Sequence, residues 1–229
     1  MNSKKAESVG ISVIIRAKNE ERWIGHTIQS VLDFIPFPEI IVIDNHSTDR
    51  TVEIAKHFQK DPELVANRAY TEIKTFEIDD YTPGKAINLG VGKANHDYLL
   101  IVSGHCVLKK LSLTKHINDL QNNDAIFGNQ IPIWEGKKIT KRYIWSHFGQ
   151  EEVINMYSEM EGRYFLHNAI SLFKKQTLID HPFDENLTTK EDRYWANEMI
   201  SNGSKILYDP ALEVDHFYTE NGNTWKGIG

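Results

Sequence analysis

Three short polar stretches, Arg16-Ala-Lys-Asn-Glu20, Asp44-Asn-His-Ser-Thr-Asp49 and Ser103-Gly-His-Cys106, each follow directly on an apolar, β-branched run. Carboxylates with amide, hydroxyl and imidazole neighbours can hydrogen-bond a polar ligand and hold charge beside it. In an open parallel sheet the ligand crevice lies at the carboxyl ends of the strands, so three polar loops at three strand ends converge on one place. Ser47 and Thr48 equally suit a turn and a helix cap, whereas Asp44 closes a buried strand, where a carboxylate is harder to explain by local structure. A further acidic pair, Glu191-Asp192, opens a helix, where such residues also act simply as stabilisers of a first turn.

The elements that must position these loops follow from periodicity. Ile11–Ile15, Ile40–Ile43 and Tyr98–Val102 are short apolar runs of the kind buried on both faces of a parallel sheet. Ile24, Ile28, Val31 and Leu32 fall at helical spacing with Asn19 placed to cap the helix, and Val52, Ile54, Ala55 and Phe58 repeat the spacing. A weaker strand is expected at Thr71–Phe76, then Pro83-Gly84 before a helix carrying Ala86, Ile87, Leu89 and Val91. Successive strand–helix units predict an α/β fold with a parallel sheet. Beyond residue 110 the alternation fades. A helix is expected at Leu113–Leu120, strands at Ala125–Gln130 and Ala169–Phe173, a helix at Glu191–Ser201, and two short strands near Ile206 and Leu212. No repeat or Pro/Gly-rich linker interrupts the chain, so residues 1–229 read as one domain.

Composition removes several classes. With 229 residues, 40% of them hydrophobic, a sizeable core is available. The net charge of -6 comes without a basic run, which argues against nucleic acid as a partner. The single cysteine, Cys106, cannot form an internal disulfide and fits a reducing compartment. The first residues lack a signal peptide's apolar stretch and no run approaches a membrane span, so a cytoplasmic protein is expected, with any membrane contact peripheral and at the inner face. Neither Gly-x-Gly-x-x-Gly nor a P-loop follows the first strand, and no Gly-x-Ser-x-Gly occurs. What remains is a nucleotide site built from acidic and amide side chains.

The ordered set Ser12-Val-Ile-Ile-Arg-Ala-Lys-Asn-Glu20, Ile41-Val-Ile-Asp-Asn-His-Ser-Thr-Asp49, Tyr81-Thr-Pro-Gly-Lys-Ala-Ile-Asn-Leu-Gly90, Tyr98 to Cys106 and Glu191-Asp-Arg-Tyr-Trp-Ala196 resembles the family 2 glycosyltransferases over about residues 11–216. Within that family it looks most similar to bacterial rhamnosyltransferase-like members that build surface polysaccharides. The resemblance implies the GT-A fold, a Rossmann-like, mostly parallel central sheet flanked by helices. Residues of about 10–110 would form the nucleotide-sugar-binding half, and about 111–229 a smaller mixed region holding the acceptor site and the catalytic base.

By the same resemblance, Ala17 and Glu20 would line the nucleoside pocket, and Asp44 would accept a hydrogen bond from N3–H of uracil or thymine. Lys85 would face the base or diphosphate. The family's Asp-x-Asp is here Ser103-Gly104-His105, so Ser103 would take the ribose, and His105 with His216 would hold a divalent cation, manganese or magnesium. Asp192 would be the catalytic base, with Glu191 the second choice. Asn168 would lie near the acceptor or sugar. Trp134, Tyr143, Trp145, His147, Tyr157 and Tyr164 would stack on acceptor sugars or build core, and the tail Thr219–Gly229 would be a lid or a frayed end. The implied activity is inverting transfer of a sugar from a UDP- or dTDP-sugar donor to the hydroxyl of a glycan or lipid-linked saccharide in cell-surface polysaccharide synthesis. The loss of Asp-x-Asp makes a non-catalytic nucleotide-sugar- or glycan-binding module the alternative. A nucleotidyltransferase would want a Gly-rich basic loop, which Arg16–Glu20 is not.

Overall fold

The computed structural model describes residues 9–60, 72–138 and 148–218. The first half alternates strand and helix: β1 (Ile11–Ala17), α1 (Ile24–Phe34), β2 (Glu39–Asp44), α2 (Thr51–Lys60), β3 (Glu72–Glu77), α3 (Pro83–Lys93) and β4 (Tyr98–Ser103). These four strands pair in parallel, in the order β3-β2-β1-β4. β2 is buried along its whole length, and in β1 only Arg16 is partly accessible, as expected of strands covered on both faces.

The second half is built differently. It comprises β5 (Cys106–Lys110), α4 (Leu113–Asp119), β6 (Ala125–Trp134), β7 (Lys137–Lys138), β8 (Val153–Ile154), β9 (Tyr157–Ser158), β10 (Arg163–Tyr164), β11 (Ile170–Lys174), α5 (Lys175–Asp180), α6 (Glu191–Ser201) and β12 (Ile206–Phe217). The sheet continues from β4 as β11-β6-β12-β5, with β11 antiparallel to both neighbours and β12 parallel to β6, while β9 and β10 form a separate two-stranded ribbon.

Two apolar layers sandwich the sheet. One gathers Ile14, Ile41 and Ile43 with α3, α5 and α6 and the aromatic set Phe127, Phe148, Phe165 and Tyr208. The other gathers Val13, Ile15, Ile40 and Val42 with α1 and α2. Strand alternation sends neighbouring residues to opposite layers.

Three expectations need correction. Asn19 does not cap α1, which starts after Trp23 with no side-chain cap; Asn19 has a φ of 52° and its Oδ1 accepts from the Thr48 N–H at 2.8 Å. It joins two loops instead of starting a helix. The polar end of β4 turns straight into a further strand, β5, which the sequence reading left out. The two short strands near Ile206 and Leu212 are one strand interrupted by a bulge: Asp209 pairs with Gly128 and Glu213 with Asn129. At the bulge the buried Asp209 carboxylate accepts from Ala211 N at 2.7 Å and meets His116 at 3.1 Å and Lys115 at 2.6 Å. These contacts hold Asp209 well below the usual carboxylate range against the opposing effect of burial.

The bulge closes tightly on Gly128, where a Cβ would stand 2.3 Å from the Leu212 carbonyl oxygen. Gly128→Ala is therefore expected to destabilise the protein by about 3 kcal/mol, the upper end for overpacking because the obstacle is backbone. Chemical denaturation reads this directly; an unchanged midpoint would mean the bulge can relax.

Candidate functional site

The carboxyl ends of β1, β2 and β4 meet, as their parallel order requires, and the start of α6 and the end of β12 close over them. The loops after β1 and β2 are laced together: Asn19 N–H donates to Ser47 Oγ at 2.8 Å, Glu20 N–H to Thr51 Oγ1 at 2.7 Å and Glu21 N–H to Asp49 Oδ2 at 3.0 Å. Ser47 and Asp49 thus do the structural work of turn and cap. Asp44 is 1% exposed, and its carboxylate accepts from Ser47 N–H at 2.9 Å and Ser47 Oγ–H at 2.5 Å. Ala17 lies buried beside it, its carbonyl taking the Asn45 N–H at 3.0 Å.

The turn between β4 and β5 presses against the end of β1. Gly104 N–H donates to Arg16 O at 3.0 Å, its carbonyl accepts from Thr27 Oγ1 at 2.9 Å, and a Cβ here would lie 2.9 Å from Arg16 O. Gly104 is thus a close-approach residue that lets Ser103 and His105 flank the β1 end. Ser103 Oγ donates to the Asn168 carbonyl at 3.2 Å, and a hydroxyl that donates keeps the capacity to accept.

His105 and His216 face each other with Nε2 to Nε2 at 3.1 Å and rings stacked at 5.0 Å. His105 Nδ1 sits 2.8 Å from Glu20 Oε1, and His216 Nδ1 contacts Gln130 Oε1. Both partners are acceptors, so each Nδ1 donates, and the facing Nε2 atoms either share one proton or hold a cation between them. Metal–nitrogen bonds of about 2.1 Å would place two nitrogens so spaced at an angle near 95°, which suits adjacent ligands. Burial, followed by the neighbouring His105 and His167, holds His216 well below the ordinary histidine range, in the neutral, ligating form. Cys106 completes a candidate ligand cluster, its Sγ within 4.8 Å of the others. Burial, with Glu20 next, pushes that thiol well up, so the protonated sulfur is a poor ligand. The donor set therefore fits a divalent cation held by two imidazoles with positions left for oxygen.

At the other side of the crevice, α6 presents its acidic pair. Glu191 is buried and ion-paired with the Arg16 guanidinium at 3.0 Å. Asp192, half-buried, accepts through Oδ2 from the Asn168 N–H at 3.1 Å and through Oδ1 from the Arg193 N–H at 2.8 Å. Between the two sides, Arg16 Nε, Glu20 Oε2 and Asn168 Nδ2 are buried without hydrogen-bond partners among the described residues. Buried polar atoms are rarely left so, and these three gather around the end of β1.

Lys85 lies apart from this group, at the first turn of α3, paired with Asp80 at 2.6 Å. Thr82 caps that helix. Tyr157 is 43% exposed and meets Tyr164 edge-on at 5.3 Å on the β9–β10 ribbon, while Trp134 packs partly buried against the core. Tyr143, Trp145, His147 and the tail from Thr219 lie outside the described residues. The reading by motif passed over Gln130 and the charge of Arg16. For Arg16 a signal existed: a cation ending a strand of buried β-branched residues must find a counter-charge. Gln130 gave none, since only the strand pairing brings it beside His216.

With this geometry in hand, comparison with known proteins is direct. The family model described as glycosyl transferase family 2 matches residues 12–181. Over 91% of its length the chain is 26% identical to a poly-beta-1,6-N-acetyl-D-glucosamine synthase of Staphylococcus epidermidis, covering 47% of that protein. It is 21% identical to an O-antigen chain rhamnosyltransferase of Salmonella typhimurium over 91% of this chain and 67% of that one. Among solved structures, Staphylococcus aureus TarS in complex with UDP-GlcNAc superposes with a TM-score of 0.70 at 21% identity, over 93% of this chain and 60% of that one. GalNAc-T7 with UDP, GalNAc and Mn2+ superposes with a TM-score of 0.66 at 15% identity, over 95% of this chain and 45% of that one. The fold is thus that of GT-A glycosyltransferases, and the chain spans 34% of one curated relative and 47% of another. No described helix is long and apolar enough to cross a membrane.

Proposed function

The chain belongs to glycosyl transferase family 2, and on that premise we propose that it transfers a sugar, with inversion, from a UDP- or dTDP-sugar donor to a hydroxyl of a glycan or lipid-linked saccharide in polysaccharide synthesis. The observation that supports the reading is that a half-buried carboxylate, Asp192, and a pair of imidazoles, His105 and His216, are both tied to the end of β1, the first through its neighbour Glu191 on Arg16 and the second through His105 on Glu20. The relatives support the class of reaction. One is named for N-acetylglucosamine polymer synthesis, one for O-antigen rhamnosyl transfer, and TarS was solved with UDP-GlcNAc.

In this reading the base enters between the loops after β1 and β2, against Ala17 and the Asp44 carboxylate, which selects a ring that offers a donor, such as N3–H of uracil or thymine. Ser103 Oγ accepts from a ribose hydroxyl. Lys85, released from Asp80, faces the base or diphosphate. His105 and His216 would hold a divalent cation, which when bound supplies positive charge to the departing diphosphate. Asp192 takes the proton of the acceptor hydroxyl as its oxygen attacks the anomeric carbon and the bond from that carbon to the diphosphate breaks. Asn168 N–H fixes the carboxylate rotamer for that step. Glu191, buried and paired with Arg16, is less accessible to the acceptor, which favours Asp192 as the base.

The test is release of nucleoside diphosphate from a panel of uridine, thymidine and guanosine diphosphate sugars, with calorimetry on the free diphosphates, CDP included. One pyrimidine donor should turn over, and UDP or dTDP should bind at least about tenfold tighter than CDP, whose ring N3 carries no hydrogen, the worth of one charge-assisted hydrogen bond. Equal affinity for CDP would remove Asp44 from base recognition. Binding without release, even with acceptor extracts supplied, would point to the non-catalytic module.

A further inference from the structure

Asp192 sits beside a second carboxylate that the proposed reaction does not use. Glu191 is buried at the start of α6, its side chain 6% exposed, and Arg16, 14% exposed, reaches it from the end of β1 across 175 positions of sequence. Two adjacent carboxylates in a poorly solvated place compete for ionisation, because each negative charge raises the cost of the other. Burial first, and Asp192 second, push the Glu191 carboxyl up, while Arg16 pulls it down. Arg16 itself resists the downward pull of burial through Tyr81, Glu191 and Asp192.

Building on the reading of Asp192 as base, we propose that Arg16 is a positioning residue: through its ion pair with Glu191 it fixes the start of α6 against the end of β1 and opposes proton uptake by the adjacent carboxylates, so that the base stays free to accept a proton. The charged and titratable groups facing the pair are Arg16 on β1, Tyr81 in the loop before α3, His167 before β11, and Arg193 on α6 itself. His167 is fully buried, donates from Nε2 to Gly128 O at 2.8 Å and is held down to about 4 mainly by burial, so it carries no charge to replace that of Arg16. Arg193 is turned toward Glu161 at 3.2 Å. Arg16 is thus the cation whose hydrogen bond is committed to the pair.

The sign of the effect follows. A nearby positive charge favours the ionised carboxylate, so its removal makes the pair hold a proton to higher pH, and activity that needs the free base begins later as pH rises. Arg16→Met, which keeps the apolar stem, should move the acid limb of kcat/KM upward by about one pH unit or more. Arg16→Lys should move it less. Arg16→Met combined with Glu191→Gln removes the buried competing charge together with its counter-ion and should return the limb to within about half a unit of wild type. A carbon-13 carboxyl titration of the Glu191–Asp192 pair, without substrate, reads the same shift independently of turnover.

An unmoved titration in Arg16→Met, or a shift that persists in the double variant, overturns the inference. Should Arg16→Met fail to fold, Arg16→Gln, which keeps a stem and a hydrogen-bond donor without the charge, decides it: an acid limb and a carboxyl titration identical to wild type in Arg16→Gln leave Arg16 a purely structural strut. If the titration shifts as expected but Asp192→Asn still turns over, the base assignment falls and the role of Arg16 in the pair stands.

Discussion

Asp192→Asn should reduce turnover by about 10²- to 10⁴-fold, the range of a lost general base, while leaving nucleoside diphosphate affinity within about threefold. The substitution is nearly isosteric. Its amide oxygen can still accept the Asn168 N–H that now binds Asp192 Oδ2 at 3.1 Å, while the contact of Oδ1 with the Arg193 N–H at 2.8 Å is given up along with the capacity to take a proton. A fall in turnover without a fall in donor binding separates proton abstraction from pocket assembly. Undiminished turnover would place the base elsewhere, with Glu191 next to test. Weakened binding of the diphosphate alone would instead make Asp192 a donor contact.

The second large effect concerns the two imidazoles. Chelation should silence the wild-type protein and manganese restore it. His105→Ala combined with His216→Ala should lower activity at least about 100-fold and abolish the response to metal, since both proposed ligands are gone. Gln130→Leu provides the finer test. Gln130 Oε1 meets His216 Nδ1, so its loss should raise the manganese concentration for half-activation by about 10- to 100-fold, as for other groups that orient a ligating histidine, with turnover recovered at saturating metal. Wild-type activity indifferent to chelator would show that the imidazoles meet the diphosphate without an ion.

How much of this could be read beforehand depends on the range of the forces involved. β1, β2 and β4 are evident because strands buried on both faces must be continuously apolar, and α3 because Pro83-Gly84 precedes Ala86, Ile87, Leu89 and Val91 at helical spacing; that Thr82 caps it is seen only in the structure. The loops at the strand ends were placed by topology alone. β5 was missed because Cys106–Lys110 is a short edge strand whose exposed lysines erase the apolar signal. β12 was split in two because Pro210 and the polar Asp209 interrupt its pattern where the chain in fact bulges. Asn19 was misread because a cap is a local device, whereas its actual partner, Thr48, lies 29 residues away. Gln130 and the Arg16–Glu191 pair belong to the same class: contacts made across the sheet, which no window of neighbouring residues contains.

The bulge in β12 also governs how the gene can change. Between Asp209 and Glu213 the strand advances four residues while β6 advances one, so three residues are looped out. Three is odd, and the side-chain alternation inverts across the loop: Ile206 and Tyr208 point into the layer of α3 and α6, whereas Leu212 and Val214 point into that of α1. His216 inherits the inverted phase, the one it shares with Gln130. Substitutions at the exposed Ala211 can be absorbed, but an in-frame loss or gain of one codon within 210–212 would either break the ladder or turn His216 to the far side of the sheet. Lineages that vary this arch in length should therefore do so by two residues at a time, and a single-codon deletion should erase metal response in a protein that still folds.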